Sequence, residues 1–113
     1  MKALGILELC GYSTALLAAD SMCKAAEIRI VAIDFNKPAA ADLDKIPLLA
    51  QIKFIGRVDD VKAALEAGVR KAENYNSSEE ILGRVIPNFD EGLTGLIKIS
   101  KIKKGKRNRR RSG

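Results

Sequence analysis

Few side chains in this sequence are equipped to do chemistry. Two cysteines, Cys10 and Cys23, and two carboxylates, Asp42 and Asp44, are the residues that a bond-making or metal-binding site would use. Histidine is absent, which removes the commonest general base and the commonest metal ligand. The cysteines are too far apart in sequence to be a C-x-x-C pair, and they read as small buried hydrophobes. Two carboxylates cannot complete a coordination sphere by themselves. Lys37 and Lys45 flank Asp42 and Asp44, so that stretch reads as a solvated loop. The glycines match neither a P-loop nor a dinucleotide fingerprint. No catalytic residue, metal or cofactor is assigned on these grounds.

Charge is the other chemical feature. The net charge of +6 is an average over two unlike parts. Nine of the 20 lysines and arginines lie between Lys98 and Arg111, and no acidic residue follows Glu91. The remaining body carries 11 basic and 14 acidic groups, a net of −3. This is a mildly acidic domain with a basic tail. The expected division is a domain over 1–97 and a disordered basic tail over 98–113. Hydrophobic residues make up 47% of the chain, but only 4% is aromatic and much of the apolar content is alanine. A core built this way buries little area per residue, so self-association is a natural route to further burial. No signal peptide is expected, because Met1 leads directly into strand residues, and no apolar run approaches the ~20 residues that span a bilayer. The expectation is a cytosolic chain with reduced thiols and no membrane partner.

The elements that must position these groups come as two matching segments. Strand, helix and strand are expected over 2–9, 11–26 and 28–34, and again over 51–56, 58–75 and 81–87. That is βαββαβ, the ferredoxin-like α+β order with a four-stranded antiparallel sheet. In the first helix Leu16, Leu17, Ala19, Met22, Cys23 and Ala26 fall near helical spacing. In the second, Val58, Val61, Leu65, Gly68 and Ala72 make one apolar face. Gly68 in mid-helix costs about 1 kcal/mol relative to alanine, which implies a close packing partner. Strand two alternates Ile28, Ile30 and Ala32 against Arg29, Val31 and Ile33. Residues 35–49 form a long irregular stretch bracketed by Pro38 and Pro47, and a short helix is expected from Asp90 to Leu96. RNA-recognition modules share this order and stack bases on sheet aromatics. Here the inner strand residues are Ile, Val, Lys and Phe54, so only non-specific phosphate binding by the tail fits.

Four segments now stand in a fixed order: ALGILEL (3–9), AADSMCKAAEIRIV (18–31), GRVDDVKAALEAG (56–68) and RVIP (84–87). Together they resemble the bacterial microcompartment shell proteins of the single-domain, hexamer-forming BMC class, over about residues 2–90. The resemblance implies a flat homo-hexamer that tiles with other shell proteins into facets, with a metabolite pore on its six-fold axis. It implies a structural protein of the cytoplasmic shell, not an enzyme. Lys24 matches the family's edge lysine, and Asp20 stands one turn before it, where it can orient that side chain.

Departures from the family pattern are equally specific. The family's short glycine-rich pore loop is replaced by the 35–49 stretch, so the expected pore lining is Phe35, Asn36, Lys37, Pro38, Ala39 and Ala40. On a six-fold axis Lys37 becomes a ring of six charges. Asn88 stands where family members carry an arginine at the tiling edge, and Glu27 where they carry an asparagine. Both imply weaker or more selective lateral assembly. The tail residues Lys101, Lys103, Lys104, Lys106, Arg107, Arg109, Arg110 and Arg111 are atypical. Repeated six times they repel one another unless a cargo enzyme, an acidic partner or a polyanion neutralises them. Two other readings compete: a trimeric nucleotide-sensing regulator of the PII type, and a small RNA-associated protein acting through its tail.

Overall fold

The computed structural model of the protein describes residues 2–36 and 48–88. In chain order the elements are β1 (Lys2–Cys10), α1 (Tyr12–Ala25), β2 (Ile28–Asn36), β3 (Leu49–Arg57), α2 (Val58–Ala72), a 3-10 turn (Ser78–Glu80) and β4 (Leu82–Pro87). The strands form one sheet in the order β2-β3-β1-β4, antiparallel throughout. This is the expected ferredoxin-like arrangement. The expected short helix over 90–96 lies outside the described residues.

Both helices pack on one face of the sheet. Period-two alternation in β1 sends Ala3, Leu7 and Leu9 to that face, with Ala50, Ile52 and Phe54 of β3 beside them. Ala15, Ala18 and Met22 of α1 and Val61, Ala64 and Ala72 of α2 close the core from above. The helices approach closely because the residues between them are small. A Cβ on Gly68 would stand 2.6 Å from Met22 Sδ and 2.7 Å from Leu7 Cδ2. This is the close partner that a mid-helix glycine implied. Gly5, opposite Phe54 and Val85 in the register, leaves the space that the Phe54 ring fills.

Helix α2 follows its pattern: Val61, Gly68 and Ala72 are buried, and Val58 and Leu65 pack against the core. Asp59 and Asp60 lie in its first turn, Arg70 and Lys71 in its last, each charge matched to the helix dipole.

Helix α1 departs from expectation. Its buried residues are Thr14, Ala15, Ala18 and Met22, whereas Leu16 and Leu17 are exposed and so is Cys23. The stripe of Ala15, Ala18 and Met22 faces inward, where α2 packs closely and Met22 fills the space that Gly68 leaves open. Reading Cys23 as buried is corrected accordingly; Cys10 is half-buried.

Strand β2 departs too. Its register with β3 shifts between Ile30 and Ala32, so Val31 is a β-bulge. The bulge reverses the alternation. Ile28, Ile30, Ile33 and Phe35 pack toward the helices, while Val31 joins the opposite face. The strand also runs on to Asn36, paired with Leu49, so the connection to β3 is shorter than 35–49.

Candidate functional site

Three surfaces carry the residues of interest. The first is the end of the sheet where the β2–β3 connection is held. Gly11, at φ 104, turns the chain from β1 into α1, a backbone region that glycine enters without a Cβ penalty. Its N–H donates to the Leu48 carbonyl at 2.7 Å, and its own carbonyl accepts from Ala15 N–H. Tyr12 and Phe35 meet beside this turn with ring centroids 5.2 Å apart. The connection is therefore gripped on both sides, by Asn36–Leu49 pairing and by Gly11 on Leu48. Of the expected pore residues, Phe35 is placed in β2, half-buried against Tyr12 and the core, and Asn36 is the exposed last residue of that strand. Lys37, Pro38, Ala39 and Ala40 lie outside the described residues, as do Asp42 and Asp44.

The second surface is the far end of α1. Lys24 Nζ and Asp20 Oδ2 are 2.9 Å apart, one turn separated, with both side chains largely exposed. The Asp20 carboxylate accepts the Lys24 hydrogen bond and adds its charge, which holds the ammonium above its ordinary pKa. Lys24 also sits in the last turn of α1, where the helix dipole favours a cation. The expected Asp20–Lys24 ion pair is thus formed, on the exposed surface of α1. Cys23 is exposed beside it. Asn88 is exposed immediately after β4, with φ 60. The tail residues 101–111 lie outside the described residues.

The third surface is the sheet face opposite the helices, which the sequence reading did not single out. Asp34, Gln51 and Glu8 are register partners across β2, β3 and β1. Lys53 is 1% exposed, and its ammonium donates to Asp34 Oδ2 at 2.6 Å. Glu8 and Gln51 are buried as well, and the Gln51 amide oxygen has no hydrogen-bond partner among the described residues. The signal was present in I-K-F-I: alternation sends Lys53 away from the Ile52–Phe54 core face. Its partner escaped notice because the Val31 bulge brings Asp34 round to that face.

Two smaller features complete the picture. The Asn76 side chain clamps the end of β1, its Oδ1 accepting from Cys10 N–H at 2.8 Å and its Nδ2 donating to the Cys10 carbonyl at 3.1 Å. Burial pushes the Cys10 thiol pKa up, helped by Glu80 and Glu8, so it is held in its unreactive protonated form. A groove of about 450 Å³ runs between α2 and β4, lined by Leu65, Val69, Ile81, Glu66, Arg70 and Glu73. Among the described residues no group of three or more cysteine and acidic side chains is placed to hold a metal. Among the same residues no helix is long and apolar enough to cross a membrane.

Residues 3–89 match the BMC domain. The chain belongs to the BMC-domain family. It is 32% identical over 92 residues to the bacterial microcompartment shell protein PduK of Salmonella typhimurium, covering 81% of this chain and 51% of PduK. It is 29% identical over 98 residues to the carboxysome shell protein CcmK3 of a Halothece species, covering 87% of each. The chain therefore spans about half the length of PduK but most of CcmK3. A microcompartments protein from Desulfitobacterium hafniense DCB shares the fold, with a TM-score of 0.60 at 24% identity, over 80% of this chain and 43% of that one. PduK and CcmK3 are shell proteins, the one of a bacterial microcompartment and the other of a carboxysome. The BMC domain described here is a shell-protein domain of that kind.

Proposed function

We propose that this BMC chain forms a flat homo-hexameric tile with a central pore and assembles laterally, with copies of itself or with other shell proteins, into a compartment facet. The observation that carries this reading is the layout of α1. Tyr12, beside the held β2–β3 connection, and Lys24, in the open ion pair, stand at opposite ends of one helix. Twelve residues at 1.5 Å each put them about 18 Å apart. A tile needs this separation, with one end of the subunit toward the axis and the other toward the neighbouring tile. Asn36, Lys37, Pro38, Ala39 and Ala40 then belong to the axial rim, with Phe35 bracing the loop from inside rather than facing the pore. Asp20, Lys24 and Asn88 belong to the edge. The tail residues Lys101 to Arg111 dock a cargo enzyme or another polyanion.

Solution mass and sheet formation test the reading together. A 12.3 kDa chain should give a species of about 74 kDa, and extended sheets when concentrated. Lys24→Ala should keep that mass and lose the sheets. A mass of about 37 kDa would favour a trimeric sensor, and a monomer would overturn the tile. Loss of residues 101–113 should abolish retention of an acidic cargo; unchanged retention would refute tail docking.

A further inference from the structure

Helix α1 lies on the surface but lacks a surface helix's charges at its start. Its exposed residues there are Tyr12, Ser13, Leu16 and Leu17, and the first charged side chain is Asp20. The solvent side of a helix normally carries charged and polar residues. Tyr12 is 56% exposed and Leu16 45%. One turn apart, these two share one side of the helix. That side faces the β2 edge of the sheet, because Tyr12 meets Phe35 of β2. Ser21, on another side of the helix, shares a cleft with Ala67 and Arg70 of α2.

The opposite edge of the sheet carries the complement. The strand order β2-β3-β1-β4 puts β4 at that edge, and α2 is the helix packed on it. In the groove between them Leu65, Val69 and Ile81 are half-buried, and Glu66, Arg70 and Glu73 are exposed along the rim. An apolar centre inside a polar rim is the build of a protein interface. The groove's 450 Å³ exceeds the ~150 Å³ that holds a benzene ring, so it has room for a tyrosine ring and a leucine together. The chemistry matches as well. Tyr12 and Leu16 suit the apolar floor, and the Tyr12 and Ser13 hydroxyls can donate to the rim carboxylates of Glu66 and Glu73. The two surfaces also stand at one level along the sheet. Phe35, beside Tyr12, pairs with Ala50 and so lines up with Leu9 of β1. Gly83, in the groove, pairs with Leu7, two residues or roughly 7 Å away.

We propose that Tyr12 and Leu16 of one copy seat in the α2–β4 groove of the next copy. The contact joins two different surfaces of the same chain, so it runs head to tail, and a head-to-tail contact whose rotation closes makes a ring. Opposite edges at one level suit rotation about an axis past the end of the sheet that holds the β2–β3 connection. The proposal rests on the tile reading above and names the seam between subunits of one tile. It leaves Asp20 and Lys24, further along α1, to the contact between tiles.

Cross-linking of the full-length protein tests the seam, in a background carrying Cys10→Ala and Cys23→Ala. Leu16→Cys puts a thiol on the α1 side, and Ser78→Cys puts one at the groove. The chain with both, treated with a short bismaleimide, should give a covalent ladder ending at six copies. The two single variants should give dimers when co-expressed and none when each is alone. Dimers from Leu16→Cys alone would mean that like meets like, which overturns the proposal. A species of about 74 kDa that gives no ladder also overturns it and leaves the tile standing. A monomer overturns both, and a ladder ending at three copies overturns the tile alone. Leu16→Glu gives a second readout. It sets a carboxylate against Glu66 and Glu73, and should convert the assembly of about 74 kDa to the 12.3 kDa chain. Circular dichroism should keep its helical signal, because Leu16 is exposed in the single chain. Leu16→Glu that keeps the assembled mass overturns the seam.

Discussion

Lys53 and Asp34 make an asymmetric pair, and the asymmetry predicts which substitution hurts. Lys53 is 1% exposed, while the Asp34 side chain is 33% exposed, and 2.6 Å separates Nζ from Oδ2. Removing the aspartate strands a buried ammonium whose hydration is already lost. Breaking a buried pair in this way costs ~3–5 kcal/mol. Water admitted through the opening at Asp34 places Asp34→Ala at the low end, about 3 kcal/mol. Removing the lysine is different. Lys53→Met keeps most of the side-chain volume, deletes the costly buried charge, and leaves a carboxylate that water already reaches. Replacing buried ionic groups by apolar ones of similar size is often neutral, so the expected cost is about 0–1 kcal/mol. Urea unfolding followed by circular dichroism measures both, at one chain concentration because association adds to apparent stability. With a slope of ~1.5 kcal/mol per molar, Asp34→Ala should lower the midpoint by about 2 M and Lys53→Met by less than about 0.7 M. If Lys53→Met proves as damaging as Asp34→Ala, desolvation of the ammonium is not what governs this pair and the argument fails.

Gly68→Ala sets helix propensity against packing. Propensity alone favours alanine by about 1 kcal/mol, but the new Cβ meets Met22 Sδ and Leu7 Cδ2 in a full core, at an overpacking cost of ~1–3 kcal/mol. A net loss of about 1 kcal/mol should lower the thermal midpoint by roughly 4 °C, and a rise would show that Met22 and Leu7 can give way. Asn76→Ala removes both hydrogen bonds that hold the Cys10 backbone, at about 1–2 kcal/mol by denaturant unfolding; Asn76→Asp keeps the acceptor only and should fall between. Thiol labelling with Ellman's reagent at pH 8 should modify exposed Cys23 at least ~10-fold faster than Cys10, which burial and two nearby carboxylates keep protonated. Single-cysteine variants assign the two phases, and equal rates would contradict the burial of Cys10.

Much was legible in the chain itself. The two strand–helix–strand segments, their order and the apolar face of α2 all follow from local periodicity and from where glycine and proline interrupt it. The Asp20–Lys24 ion pair was legible for the same reason, since the two residues are one helical turn apart and their meeting depends only on α1 forming. What tertiary structure decided is non-local. Which stripe of α1 turns inward depends on the room beside α2, and that room took Ala15, Ala18 and Met22 and left Leu16 and Leu17 outside. The phase of β2 depends on one bulge at Val31, which only the pairing with β3 reveals. That bulge brings Asp34 to Lys53, and the fold likewise brings Asn76 to Cys10 across 66 residues. A period in the sequence specifies faces, but only packing and register decide what each face meets.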